Sequence, residues 1–72
     1  MGNYITVQIT KVPGAMKTLS LEAGSTVEDA LTIAELEVAT GYEIRVDDEI
    51  VSRDTELVDG NVVVITKMIK GN

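Results

Sequence analysis

The hydrophobic and polar positions of this chain fall into six segments of regular pattern. The last, Val62-Val63-Val64-Ile65-Thr66, shows no in-out alternation and is the most β-prone run, which predicts a central strand with a neighbour on each side. Residues 4–12 alternate, with Ile5, Val7 and Ile9 on one side and Tyr4, Thr6, Gln8 and Thr10 on the other, the pattern of a half-buried strand. Val12-Pro13-Gly14-Ala15 reads as a turn, because proline presets φ at the first central position and glycine follows at the second. Thr18-Leu19-Ser20-Leu21 alternates again, so the first two strands form a hairpin.

A change of period follows. Ala23-Gly24-Ser25-Thr26 closes the hairpin and opens a helix over 26–36, with Ser25 or Thr26 as N-cap and Glu28 or Asp29 completing a capping box. Val27, Ala30, Leu31 and Ala34 form one narrow apolar stripe. The β-branched Val38 and Thr40, with Gly41 as terminator, predict that the helix stops between Leu36 and Thr40. Tyr42-Glu43-Ile44-Arg45-Val46 alternates as a third long strand, Asp47-Asp48-Glu49 is its turn, and Ile50-Val51 is a very short return strand. Residues 53–57 form a loop or a single helical turn that drops Leu57 into the core. Asp59-Gly60 then turns the chain into the last strand, since Gly tolerates positive φ and Asp bonds nearby backbone.

The order strand, strand, helix, strand, short strand, strand predicts an α+β domain. One helix covers one face of a mixed sheet of about five strands, with the first and last strands central and parallel, which is the β-grasp or ubiquitin-like arrangement. Residues 1–72 form one domain, and 67–72, where only Met68 and Ile69 offer an apolar anchor, read as a flexible C-terminal tail.

Composition narrows the chemistry. A domain this small buries only about 60% of its unfolded surface, and the chain has no Cys or His to form a disulfide or a structural metal site. The lack of His removes the side chain that titrates near neutrality, and the lack of Cys removes the thiolate nucleophile. The serines therefore lack an activating base, and we expect no catalytic residue, cofactor or metal. Asp47, Asp48 and Glu49 are adjacent, whereas a Ca²⁺ loop spaces its ligands at alternate positions, so they read as a solvated turn. Twelve acids against six bases give a net charge of −6. That charge disfavours nucleic acid and anionic membranes and favours a basic patch on a partner protein. With no signal-peptide pattern after Met1 and no membrane-length apolar run, the expected location is cytoplasmic.

With Val63 and Ile65 turned toward the helix, Val62, Val64, Thr66 and Met68 point to the face that no helix covers. Tyr4, Thr6 and Gln8 from one neighbouring strand, and Glu43 and Arg45 from the other, share that face. Contiguity of its apolar members makes it a candidate partner-binding surface, centred on Gln8, Arg45, Val62, Val64, Thr66 and Met68.

The stretch Val46-Asp47-Asp48-Glu49-Ile50-Val51, followed by Arg53-Asp54-Thr55-Glu56-Leu57-Val58-Asp59-Gly60-Asn61 and the β-run, resembles the second half of the thiamine and molybdopterin sulfur-carrier proteins, the ThiS/MoaD group. The helix start Ala23-Gly24-Ser25-Thr26-Val27-Glu28-Asp29-Ala30-Leu31 is similar too, although much of this pattern is shared with other β-grasp proteins, including TGS domains. The resemblance implies a β-grasp fold and a protein partner such as an adenylating (activating) enzyme or a synthase. It further implies a Gly-Gly carboxyl terminus that is adenylated and converted to a thiocarboxylate. Here the tail Lys70, Gly71, Asn72 places Asn at the reacting position, which puts active carriage in doubt. The alternative is a noncovalent β-grasp interaction module, an adaptor or inhibitor, acting through the uncovered sheet face.

Overall fold

The computed structural model describes residues 2–68. It contains β1 (Tyr4–Lys11), β2 (Lys17–Glu22), α1 (Val27–Ala34), β3 (Tyr42–Val46), β4 (Glu49–Val51) and β5 (Val62–Lys67). The five strands form one sheet in the order β2-β1-β5-β3-β4. β5 is central, parallel to β1 and antiparallel to β3, while the β1/β2 and β3/β4 pairs are antiparallel hairpins. This is the expected mixed sheet with one helix.

The core forms where the inward positions of the sheet meet the helix stripe. Val7 and Ile9 of β1, Leu21 of β2, Ile44 and Val46 of β3, and Val63 and Ile65 of β5 are buried against Val27, Ala30, Leu31 and Ala34. Leu57 joins them from the connecting loop, as its isolated apolar position predicts. Ile5 is only half-buried, because it lies near the open end of β1.

The helix starts at the capping box. Thr26 is the N-cap, its hydroxyl accepting from the Asp29 amide at 3.4 Å while the Asp29 carboxylate accepts from the Thr26 amide at 3.0 Å. The amides of Val27 and Glu28 donate to the carbonyls of Thr55 and Arg53, both at 2.9 Å. The 53–57 segment is thus a loop that satisfies first-turn donors which would otherwise face water.

The C-terminal end differs from expectation. α1 stops at Ala34 rather than between Leu36 and Thr40, because Glu35 takes a left-handed conformation at φ 58°. The Leu36 amide then reaches back to the Leu31 carbonyl at 3.0 Å and the Glu35 amide to that of Thr32 at 3.2 Å, a Schellman closure. Lys17 of β2 donates its ammonium to the Ala34 carbonyl at 2.9 Å, supplying the cation that the last helical turn lacks. Gly41, at φ 93°, instead turns the chain into β3. Since a left-handed residue favours Gly, Glu35→Gly is expected to raise stability by about 0.5 kcal/mol net of the entropy gained by the unfolded chain. Urea unfolding checks this, and a lower midpoint would contradict it.

Asp47 and Asp48 both have positive φ, 51° and 73°, so the β3–β4 connection is a two-residue type I′ turn and Glu49 already belongs to β4. Asp47 does more than solvate this turn. Its carboxylate accepts from the Asn61 side-chain amide at 2.7 Å and from the Val62 amide at 3.0 Å, and Asn61 in turn accepts from the Val58 amide at 2.7 Å. Asp59 accepts from the Thr6 amide at 2.8 Å. These side chains fix the point where β5 enters the sheet between β1 and β3. Asn61→Ala breaks two of the bonds at once and is expected to cost about 1–2 kcal/mol in urea unfolding; an unchanged midpoint would show that water replaces them without loss.

Two residues of the tail expected over 67–72 lie among the described residues. Lys67 is the last residue of β5, opposite Tyr42, and the Met68 amide is held by the Gly41 carbonyl at 2.8 Å. Residues 69–72, including Lys70, Gly71 and Asn72, lie outside the described residues.

Candidate functional site

Strand alternation divides the sheet into a helix-covered face and an uncovered one. Register brings most of the sequence-predicted surface together on the latter. Gln8 lies opposite Val62 across the β1/β5 pair, Val64 sits between Thr10 and Arg45, and Thr66 lies opposite Glu43. Val62, Val64 and Thr66 are half-buried although no element covers them, because flanking strands shield their edges. Gln8 is exposed, and Tyr4 stands 64% exposed at the far end of β1.

Arg45 is held within the sheet surface. Its guanidinium is ion-paired with Glu43 and reaches the Asp48 carbonyl at 3.4 Å. The Glu43 side chain is only 12% exposed, so this carboxylate presents little charge to an incoming partner. Met68 follows the end of β5 and is 53% exposed. It lines an apolar recess of about 560 Å³ at the β3–β4 edge, together with Val38, Tyr42 and Ile50.

Two members of the face, Ile50 and Val12, escape the sequence reading. Ile50 pairs with Arg45 and is 64% exposed, which extends the apolar strip onto β4. The signal was available in the two-residue Asp47-Asp48 turn, which forces Val46 opposite Glu49 and Arg45 opposite Ile50. Thr10 is buried, and its hydroxyl donates to the carbonyls of Gly14 and Ala15, so it secures the β1–β2 loop rather than facing a partner. Val12, just past β1, is exposed beside it.

The charge distribution sets this face apart. Of the twelve acids, alternation turns only Glu22 and Glu43 toward it. Glu22 occupies a corner of the sheet opposite Tyr4, and Glu43 is neutralised by Arg45. The remaining carboxylates lie on the helix, on turns and loops, or at Glu49. The face is therefore a mostly uncharged strip, Val62, Val64 and Ile50, with Met68 just beyond the end of β5, bordered by the neutral polar side chains of Thr6, Gln8, Thr18 and Ser20. Among the described residues no group of three Asp or Glu converges as a metal site would require, and no helix is long and apolar enough to cross a membrane.

Solved structures share this topology. A ubiquitin-like domain of Dsk2 from Plasmodium falciparum aligns with a TM-score of 0.65 at 22% identity, covering 92% of this chain and all (100%) of the other. The fold is ubiquitin-like. A ubiquitin from Caldiarchaeum subterraneum aligns with a TM-score of 0.56 at 15% identity over 97% of this chain and 100% of its own. A structure solved in work on molecular mimicry of SUMO that promotes DNA repair gives 0.59 at 20% identity over 86% and 89%. No protein-family model matches the sequence, and no curated protein sequence matches it significantly. The three structural likenesses bear on the ubiquitin-like β-grasp alone, and the ThiS/MoaD resemblance rests on the sequence pattern.

Proposed function

We propose that this ubiquitin-like chain is a small noncovalent protein-interaction module that recognises a protein partner through the uncovered sheet face. The observation that carries this reading is the nearly uncharged apolar strip on a molecule of net charge −6. Desolvating unpaired carboxylates is costly, so a surface from which they are withdrawn is the least expensive to bury. A face of this kind, already rigid in the sheet, loses little conformational freedom on binding. A photo-crosslinking amino acid at Gln8 is expected to capture a partner protein in cells of the source organism, while the same group at Ile33, exposed on the helix, captures none of it. Equal capture from both positions would contradict the reading.

A second reading, sulfur carriage, is favoured by the resemblance of residues 46–65 and the helix start to the ThiS/MoaD group. It would require activation at Gly71-Asn72 by an adenylating enzyme. With Asn in the place of the family's last Gly, a branched polar side chain would stand beside the reacting group, and a misplacement of about 1 Å can cost on the order of a hundredfold in rate. Incubation with ATP and a sulfur-carrier activating enzyme is expected to leave the intact mass almost unchanged, with Asn72→Gly raising the adenylated or thiocarboxylated fraction. Efficient modification of the unaltered chain would favour carriage, and an inert Asn72→Gly variant would remove it.

A further inference from the structure

The bases of this acidic chain are distributed unevenly. Both arginines are ion-paired, Arg45 to Glu43 and Arg53 to Glu28, whereas Lys11, Lys17 and Lys67 make no salt bridge among the described residues. By register all three lie at one end of the helix-facing side of the sheet, beside the C-terminal end of α1. Lys11 and Lys17 line a recess of about 360 Å³ there, with Val12, Pro13, Leu36 and Tyr42 as its apolar part. The Lys11 ammonium stands 5.1 Å from the centre of the Tyr42 ring, and Lys67 pairs directly with Tyr42 across the β3/β5 ladder. Lys17 spends one N–H on the Ala34 carbonyl and keeps two donors.

We infer that this lysine-rimmed recess is a second docking site, whose occupant is an acidic peptide segment that carries an apolar side chain. Charge complementarity selects the acid, because among the described residues no carboxylate lines the recess, Lys11 and Lys17 line it, and Lys67 stands opposite the lining Tyr42 in the β3/β5 ladder. The apolar walls select a segment with a side chain to bury rather than a bare anion, and the volume suits one such side chain with its neighbours. Net charge of −6 does not forbid this. At physiological salt, fields are screened beyond about 8 Å, so the nearby lysines outweigh the remote acids. Glu35 and Glu37 flank Leu36 but do not line the recess. The site lies on the opposite side of the sheet from the uncovered face and stands independently of the function proposed for that face.

The test is an amide-shift titration of the isotope-labelled protein with acetyl-Asp-Glu-Leu-Asp-Glu-amide, its Asn-Gln-Leu-Asn-Gln counterpart and inorganic phosphate. The acidic peptide is expected to move the amides of Lys11, Val12, Leu36 and Tyr42, with an affinity that falls as salt rises and drops about tenfold or more in a Lys11→Gln, Lys67→Gln double variant. Both substitutions are at solvent-reaching side chains, and Lys67→Glu alone serves if the double variant unfolds. Equal shifts from the neutral peptide, shifts no larger than those from phosphate, an unchanged affinity in the variants, or no localised shift would each overturn the proposal.

Discussion

Truncating Ile65 to alanine is expected to lower the unfolding free energy by about 2–5 kcal/mol. Ile65 is fully buried at the centre of β5, facing the helix between Lys11 and Ile44 on the neighbouring strands. Its side chain is surrounded by core residues that cannot collapse without moving a strand, so the cavity persists. A 72-residue domain holds only about 4–11 kcal/mol in total, and the described chain adds no disulfide. The variant should therefore unfold at much lower urea and sit close to the limit of stable folding at 37 °C. A midpoint within error of the parent would mean that β5 is not the centre of the core.

Val64→Lys is expected to leave the fold standing and to weaken binding of the partner captured at Gln8 by about a hundredfold or more. The two halves of this prediction follow from the same geometry. Val64 is half-buried and faces outward, so the lysine stem can lie along the sheet with its ammonium in water, at small cost in the free protein. In the complex that ammonium would be desolvated beside Arg45, a like charge in the neighbouring strand, while Glu43 is already paired with Arg45 and Glu22 lies at a far corner of the sheet. Val63→Lys, one residue earlier, points into the core and should unfold the domain. A folded Val64→Lys variant with parental affinity would remove this face as the binding site.

The fold was readable because each element is signalled by a different physical pattern. Alternation in residues 4–12 and 42–46, the i, i+3, i+4, i+7 stripe of the helix and the lone Leu57 all give positions that burial then requires. The unbroken run of β5 predicts a strand with neighbours on both sides, and it has them in β1 and β3. Its apolarity nevertheless has two separate origins: Val63 and Ile65 fill the core, whereas Val62 and Val64 stand on the uncovered face. Helix termination was less legible. The stop depends on Glu35 accepting a left-handed backbone and on Lys17, seventeen residues earlier, reaching the Ala34 carbonyl. No local pattern shows either.

The candidate surface was legible to the extent that it follows from strand parity. Ile50 was missed because β4 is only three residues long and its facing is decided by turn geometry rather than by alternation. The electrostatic character of the face was also hidden, since a net charge says nothing about where the acids lie. Only the register, which sets Glu43 beside Arg45 and sends Glu22 to a corner, shows that the strip is almost free of uncompensated charge.

Titrating the isotope-labelled protein with the captured partner, and following amide and methyl signals, decides whether the uncovered sheet face is the partner-binding surface. The perturbed signals are expected to belong to Gln8, Arg45, Ile50, Val62, Val64 and Thr66, while those of Glu28, Thr32 and Ile33 on the helix stay in place. Perturbation confined to the helix, with the sheet signals unmoved, would contradict it.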